Sequence, residues 1–313
     1  MRAGPSVADA AVTVGPYVVA KLRALDERLA VAAARVLADD DAEAVHDLRV
    51  ALRRIRTVLE VGRSILGGYY ADEVRRSLRN VMRATGALRD EEVLRELLGS
   101  VGPHDPSIDA WRAARARRER RLRGQLRGMV RSGQVEAGRR LLAAMLVFPI
   151  RRTRDRPLPK FARRAIDDAL RQVESRRATR IDDVEGLHDL RIAYKRLRYT
   201  VEAFADALPA ELAGLGQAAS RFQGRLGDLH DADVAIECAS RARSLDEAKR
   251  SALVVALKRT RAKRAAAYEQ ELSAASIAPS RVAAVGRSSH PSSVAKHPHA
   301  HAGTDSLRKS STR

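Results

Sequence analysis

The amino-acid sequence predicts an all-α protein made of two copies of one four-helix unit. Apolar residues recur at helical spacing along most of the 313 residues, and aromatic residues make up only 4% of them, which favours helices over sheets. In addition, residues 45–56 return about 142 positions later as residues 187–198, His-Asp-Leu-Arg included. A repeat of this length indicates a tandem duplication.

Four helices are predicted in the first half. Gly15-Pro16 precedes the first helix, Asp39-Asp40-Asp41 separates it from the second and offers capping carboxylates, and Gly67-Gly68 ends the second. The third helix is expected to be interrupted near Gly86, and residues 99–106 are expected to form a loop. The predicted bounds are about 17–38, 42–66, 71–98 and 107–131.

The same order of helices is predicted in the second half, after a linking helix at about residues 134–148. Pro157 and Pro159 precede the first helix, and Pro209 starts the third. The first helix is expected to end near residue 176, and the last to cover about 246–275. The helix that carries the repeated segment is predicted at 185–208.

A second repeated motif supports this match between the halves. Residues 85–93 return as residues 226–234, at an offset of about 141. Each copy contains a glycine and, four residues later, an aspartate, Asp90 or Asp231. This aspartate is expected either to cap a helix that resumes after the glycine or to orient the residue before it, Arg89 or His230.

The repeated segments place basic residues on one side of a helix. On a helix, positions 46, 49, 53 and 56 fall within an arc of about 80°. We call these stripes the basic ladders. The first ladder is His46, Arg49, Arg53 and Arg56, and the second is His188, Arg191, Lys195 and Arg198. An apolar stripe lies beside each ladder, so the charged head groups are expected to face a groove while their stems pack.

A row of cations on one helix face indicates an anionic ligand. Like charges at this spacing repel by a few tenths of a kcal/mol per pair, so a stripe that occurs twice argues for a counterion. Arginine donates bidentate hydrogen bonds to phosphate, and histidine becomes a cationic donor near neutral pH when a phosphate is close. The net charge of +20 agrees, with nucleic acid, an anionic membrane or an inorganic phosphate polymer as candidate partners.

Other charged residues have simpler interpretations. The arginines of residues 112–131 surround their helix without forming a stripe, so we expect a solvated face. Asp47 and Asp189 are expected to form salt bridges with neighbouring arginines. His-Asp is also a metal-binding dipeptide of some phosphohydrolases, but no histidine precedes His46 in the chain to complete that set of ligands. This enzyme is kept as the least favoured alternative.

Several classes of function lack their sequence signatures. No phosphate-binding loop, dinucleotide fingerprint, zinc-protease motif or local nucleophile arrangement is present, so neither catalytic residues nor a cofactor or metal is expected. The single cysteine, Cys238, fits a reducing cytosol, and no signal peptide or run of 18 apolar residues is found. We therefore expect a cytoplasmic protein that does not interact with membranes.

The ladders, their repetition and the Leu-Gly-Asp-Leu-His-Asp-Ala-Asp-Val stretch at 226–234 resemble the CHAD (conserved histidine α-helical domain) family over about residues 10–275. The resemblance implies two four-helix bundles related by pseudo-two-fold symmetry, with a basic central groove that binds inorganic polyphosphate at polyphosphate granules. The implied binding residues are His46, Arg49, Arg53, Arg54, Arg56, Arg89, His188, Arg191, Lys195, Arg196, Arg198 and His230. Arg54 and Arg196 point away from the ladders on a helical wheel, so the family pattern alone includes them.

The resemblance also implies a domain over residues 1–277. It would contain a first helical repeat at about 10–131 and a second at about 158–277. The Ser-, His- and Pro-rich residues 278–313 are expected to be a disordered basic tail. The Glu-x-Glu-x-Lys strand of a fused triphosphate-tunnel enzyme is absent, so a stand-alone, non-catalytic binder is expected. Non-specific nucleic-acid binding, weak and confined to low salt, stays the main alternative.

Overall fold

The structure, a computed structural model, describes residues 12–38, 43–101, 105–147, 155–208 and 210–276. These residues form eleven α-helices and one 3-10 turn without a strand, which confirms the all-α prediction. The predicted tail at 278–313 and the proposed caps Asp39-Asp40-Asp41 lie outside the described residues. The described residues up to Glu271 form one compact unit.

The helix bounds follow the predicted order with local differences. The helices are α1 (Val14–Ala38), α2 (Ala44–Val61), α3 (Arg63–Leu66), α4 (Gly68–Ser77), α5 (Arg79–Ser100), α6 (Pro106–Arg131), α7 (Gln134–Val147), α8 (Leu158–Glu174), α9 (Val184–Ala203), α10 (Ala210–Ser240) and α11 (Glu247–Ser276). The 3-10 turn, Ala205–Ala207, follows α9.

The helices pack mainly as neighbours along the chain. α1 packs on α2, α5 on α6, and α9 on both α8 and α10, while α2–α9 and α5–α10 contacts join the two halves. One apolar core fills the space among α1–α8. Another joins the end of α5 and the start of α6 to the end of α10 and the start of α11, with Leu98, Ile108 and Leu253 fully or almost fully buried. No helix in the described ranges is both long and apolar enough to cross a bilayer.

Three expectations about helix boundaries were wrong. α5 is continuous through Gly86, and the boundary with α4 falls instead at Leu78 (φ −82°, ψ −2°), which stays in the right-handed helical region. Leu78 is fully buried, and Gly86 continues the helix despite the low helix propensity of glycine. α10 also runs unbroken past Gly227, so Asp90 and Asp231 lie inside helices and cap neither.

Other boundaries shift by a few residues. The second predicted helix ends at Val61 rather than 66, α5 extends to Ser100 into the expected loop, and the helix predicted to reach 208 ends at Ala203. Gly67 has φ +92°, a conformation that L side chains rarely adopt, and it separates α3 from α4.

The arginine-rich helix α6 is not a uniformly solvated face, which corrects that expectation. Arg115 and Arg118 contact the buried carboxylate of Glu91 on α5 at 2.7 and 3.1 Å. Arg123 of α6 pairs with Glu92, which also lies on α5, at 2.7 Å. These ion pairs join α5 to α6 and neutralise part of the arginine run.

The contact between Leu78 and α7 yields a test of the packing. A Cβ added at Gly138 would lie 2.3 Å from the Cδ2 atom of Leu78, whereas one added at Gly128 of α6 meets nothing within 4 Å. We expect Gly138→Ala to lower the free energy of unfolding by about 1–3 kcal/mol through overpacking. Gly128→Ala should raise it by about 0.5–1 kcal/mol through the better helix propensity of alanine. Urea denaturation of both variants measures the difference, and a stabilised Gly138→Ala would contradict the packing described.

Candidate functional site

The packing of α2 against α9 positions the two basic ladders. The apolar stripe of α2 is fully buried at Leu48, Leu52, Ile55 and Leu59, as expected. The matching stripe of α9 is buried as well, at Leu187, Leu190, Tyr194, Leu197 and Val201. Because each ladder lies next to a buried stripe, ladder side chains come to the edge of the contact between the helices.

A cavity of about 570 Å³ opens beside this contact, and we call it the basic cavity. Ladder residues from both helices line it, together with residues of α5 and α8. Its basic lining residues are Arg49, Arg53, Arg56, Arg83, Arg176, Lys195 and Arg196, and its acidic ones are Glu60 and Asp189. Five of these seven cations, all but Arg83 and Arg176, were predicted as site residues from the sequence.

Most of the cations in the basic cavity have no carboxylate partner. Glu60 lies 3.4 Å from Arg196 and 3.6 Å from Arg75, so its charge is already shared. Within the described part of the chain, no ion pair forms at the remaining six basic lining residues. Asp189 was expected to bridge to an arginine, but it has no ion pair within the described ranges either. Asp47, by contrast, pairs with Arg35 on α1, as predicted. The lining therefore carries a clear excess of positive charge.

Neutral groups hold two of these arginines in place. The Nη1 atom of Arg49 donates to the backbone carbonyl of Thr85 at 2.7 Å, which joins the first ladder to α5. Arg53 donates to the hydroxyl of Tyr199 on α9, and its guanidinium lies 5.2 Å from the centre of that ring. Both arrangements orient a guanidinium without cancelling its charge, so each cation stays available to an anion.

Lys195 has the least favourable electrostatic surroundings in the basic cavity. Burial, followed by the charges of Arg53, Arg191 and Arg49, lowers its pKa from the ordinary 10.5 to about 8. Burial also lowers the pKa values of Arg49 and Arg56. A bound anion would relieve this repulsion and raise the pKa of Lys195 again.

The predicted residues Arg54 and Arg198 lie on the other side of Tyr199. Both contact Glu202 of α9, Arg198 at 2.7 Å and Arg54 at 3.6 Å. Arg54, Tyr199 and Glu202 line a smaller cavity of about 210 Å³. One carboxylate therefore compensates part of the charge of these two arginines, whereas six of the seven cations in the basic cavity have no such partner in the described residues.

Two further predicted residues lie outside both cavities. Arg89 is half-exposed and lies 3.7 Å from Glu92, while His46 is exposed on α2. Neither residue lines the basic cavity.

Three more predicted residues, His188, His230 and Arg191, form a cluster where α9 meets α10. The Nδ1 atoms of the two histidines are 3.4 Å apart. Burial, followed by the charge of Arg191, lowers the pKa of both imidazoles, that of His230 to about 4. Without a ligand His230 is therefore neutral at pH 7. Arg191 is itself partly buried, and its Nε atom has no hydrogen-bond partner in the described residues.

The sequence analysis did not single out Arg83, Arg176 and Tyr199. Arg83 follows Arg79 and Arg75 at intervals of four residues, a stripe that was visible in the sequence. Arg176 lies just beyond the end of α8 and lines the cavity only because α8 packs on α9. Tyr199 occupies the position of Thr57 in the first copy, and local pattern gave no signal for its role.

The described residues offer little for a metal ion. No group of three or more His, Cys, Asp or Glu side chains is placed to bind one within those ranges. The pair of imidazoles has Arg191 beside it, an unfavourable neighbour for a cation.

Comparisons with known proteins point to one family. The CHAD domain family model matches residues 20–240. A crystal structure of the CHAD domain from the plant Ricinus communis superposes with a TM-score of 0.63 at 20% identity, covering 91% of this chain and 94% of that chain. PptA from Streptomyces chartreusis gives a TM-score of 0.62 at 19% identity, with 84% of this chain and all of that chain covered. No curated protein sequence matches.

The lowered pKa of Lys195 yields a test of the electrostatics. Below pH 8 Lys195 is charged in the folded and unfolded states alike. The folded state then carries the full free-energy cost of holding that charge in a buried site among other cations. The cost decreases between the folded pKa of about 8 and the ordinary value of 10.5, and above that it is absent. Lys195→Met should therefore raise the free energy of unfolding at pH 7 by about 1–3 kcal/mol, and this gain should vanish near pH 11.

Thermal and urea denaturation between pH 6 and 11 measure that gain. The exposed Lys258 of α11, changed to Met in the same way, is the control and should show no such pH dependence. A Lys195→Met variant that is less stable than the wild type at pH 7 would contradict the unfavourable environment described.

Proposed function

The chain belongs to the CHAD family, and from that premise we propose that it binds inorganic polyphosphate, without catalysis, in the basic cavity. The observation that carries the proposal is the set of six basic side chains around one cavity that have no carboxylate partner in the described residues. Such a site needs an anion of high charge density, because each cation that remains uncompensated is costly where water is partly excluded.

A linear phosphate polymer matches this cavity better than a nucleic acid does. Each phosphate carries a negative charge, so consecutive units can meet successive cations of the lining. Single-stranded nucleic acids depend in addition on aromatic rings that stack on bases. Tyr199 is the one aromatic residue of the cavity lining; it is 7% exposed, and the guanidinium groups of Arg53 and Arg198 lie near its ring. This arrangement offers no platform for a base.

We infer further that the fold consists of two four-helix bundles that arose by duplication. Matching contacts support this. Glu92 of the first copy pairs with Arg123 on α6, and Asp233, its counterpart in the second copy, pairs with Arg261 on α11. The ladder residues Arg49 and Arg191 are counterparts too, and burial lowers the pKa of both. A pseudo-two-fold axis between α2 and α9 would relate these pairs.

Among the twelve residues proposed from sequence, those of the basic cavity have the strongest support. These are Arg49, Arg53, Arg56, Lys195 and Arg196, to which Arg83 and Arg176 are added. The remaining ones stay predictions: His46, Arg54, Arg89, His188, Arg191, Arg198 and His230. Of these, Arg191 has a direct electrostatic link to the lining, because its charge helps to lower the pKa of Lys195.

The cellular consequence that we propose is association with polyphosphate granules. A protein that presents uncompensated cations to a polymer would collect wherever that polymer accumulates. We also propose that the protein does not hydrolyse the polymer. The lining supplies cations that can hold phosphates, and its only carboxylates are Glu60 and Asp189.

The first test removes unpaired charge from the cavity. We expect Arg53→Met/Lys195→Met to weaken polyphosphate binding at least tenfold at 0.15 M salt, since two phosphate contacts are lost. The control is Arg171→Met/Lys258→Met, which removes the same charge from exposed positions of α8 and α11 outside the lining of the basic cavity. Fluorescence titration at two salt concentrations, with RNA as competitor, measures both variants.

Each outcome of this titration is informative. Preference of the wild type for polyphosphate over RNA at equal phosphate concentration, with a larger loss in the cavity variant, supports the proposal. Equal losses in both variants, or a preference for RNA, would overturn it. Release of orthophosphate during incubation with Mg²⁺ or Mn²⁺ would refute the non-catalytic role and favour a phosphohydrolase.

A second test follows the proton on Lys195. With a pKa of about 8, this side chain is roughly half-protonated at pH 8 in the unliganded protein. Bound phosphates would raise that pKa, so binding at pH 8 should take up about half a proton per site. Calorimetric titrations in two buffers of different ionisation enthalpy measure the uptake. It should disappear in Lys195→Met, and unchanged uptake in that variant would place the polymer elsewhere.

A further inference from the structure

We propose that bound polyphosphate leaves the basic cavity in one direction only, over an arginine track on α4 and α5. The arginine track is defined as Arg75, Arg76, Arg79 and Arg83. This inference rests on the proposed function and deepens it, because it assigns a length preference: chains long enough to cover the cavity and the track should bind more tightly than short ones.

The track is continuous with the basic cavity. A second cavity of about 230 Å³ is lined by Arg75, Arg76, Arg79, Asp72 and Arg56. Arg56 also lines the basic cavity, so one guanidinium borders both spaces. Arg83, one turn beyond Arg79 on α5, lines the basic cavity as well. A polymer could therefore pass from one space to the other without leaving the reach of a cation.

Two of the four track arginines resemble the cations of the basic cavity, since Arg79 and Arg83 have no ion pair in the described ranges of the chain. The other two are partly compensated: Arg75 shares Asp72 with Arg63 and also contacts Glu60, and Arg76 pairs with Glu73. After burial, the charge of Arg75 contributes most to the lowered pKa of Arg56. Repulsion among these arginines extends across the boundary between the two spaces, and a shared polyanion would relieve it.

The helix break at Leu78 does not interrupt the track. The N–H of Leu78 donates to the carbonyl of Val74 at 3.1 Å, and its own carbonyl accepts from Met82 at 3.0 Å. Hydrogen bonding between turns therefore persists across the break, and Arg75, Arg79 and Arg83 succeed one another at helical spacing. At 1.5 Å per residue the track extends about 12 Å along the helix direction, enough for several phosphates beyond those in the cavity.

The second copy of the repeat lacks a corresponding track. At the offset of about 141 that relates the later motifs, the counterparts of Arg75, Arg76, Arg79 and Arg83 are Gly216, Gln217, Ser220 and Gly224. The ladders are thus nearly symmetric while their flanks are not. α10 does carry Arg221 and Arg225, one residue beyond those counterparts, but both contact Glu271. In the described residues, the cations without an ion pair that continue the basic cavity on these helices are therefore Arg79 and Arg83 of the first half.

The test replaces two track arginines and varies the length of the ligand. Arg75→Gln/Arg79→Ser introduces neutral side chains at the track, serine being the residue found at the counterpart of Arg79. We expect affinity for a long polyphosphate to decrease about tenfold, and the slope of log K against log salt to become shallower by about 1.4, the value for two lost phosphate contacts. Affinity for tripolyphosphate, which the basic cavity alone can hold, should remain within about twofold.

The matched control removes equal charge from another basic surface. Arg243 and Arg250 line a separate cavity that shares no residue with the basic cavity or the track, so Arg243→Ser/Arg250→Gln should bind both ligands like the wild type. Because Arg75 also contacts Glu60 and Asp72, the single Arg79→Ser variant is measured too. Arg79 makes no hydrogen bond or ion pair in the described part of the chain, and its replacement should leave the fold intact.

The outcomes separate this inference from the proposed function. A wild type that binds neither ligand refutes the proposed function itself. If long polymer binds and depends on Arg53 and Lys195, but both track variants bind it like the wild type, the track is wrong and the cavity stands. Equal losses for tripolyphosphate and long polymer would also overturn the track, because they would show a general effect of charge.

Discussion

The packing of α2 against α9 is the constraint on which the rest of the site depends. α2 buries its apolar stripe mainly against α1 and α9 buries its own against α8 and α10, and this burial provides the main favourable free energy that holds the two helices in place. The ladder residues adjoin those stripes, so Arg49, Arg53 and Lys195 are brought together at the edge of a common cavity. Their mutual repulsion is a consequence of helix packing, and the fold tolerates it because the hydrophobic contribution is larger.

The ladders were predictable because they depend on local periodicity. A helix repeats every 3.6 residues, so the spacing of Arg49, Arg53 and Arg56 defines a face before any tertiary contact is known. Arg176 and Tyr199 were not predictable in this way, since they reach the cavity only through the packing of α8 and α2 on α9. The boundary at Leu78 was not predictable either, because no glycine or proline marks it in the sequence.

Whether an arginine serves a ligand depends on acidic partners that are distant in sequence. The arginines of α6 are dense, but Glu91 and Glu92 on α5 engage Arg115, Arg118 and Arg123. Arg198 belongs to a ladder, but Glu202 compensates it. Arginine density in a sequence is therefore a weak guide to anion binding, and the matching of each cation with a carboxylate in three dimensions is a stronger one.

The free-energy cost that Lys195 imposes on the folded protein and the affinity that we propose it contributes have one origin. Burial and neighbouring guanidinium groups disfavour its charged form while the cavity is empty, and a polyanion removes that penalty when it binds. Neutral replacement would recover stability at the expense of binding. The same reasoning explains why the two copies of the repeated segment need not both have basic flanks. Arg79 and Arg83 already add cations without an ion pair to the first half, and a second such set would add further repulsion to the folded state, while under our proposal one polymer chain needs only one path out of the cavity.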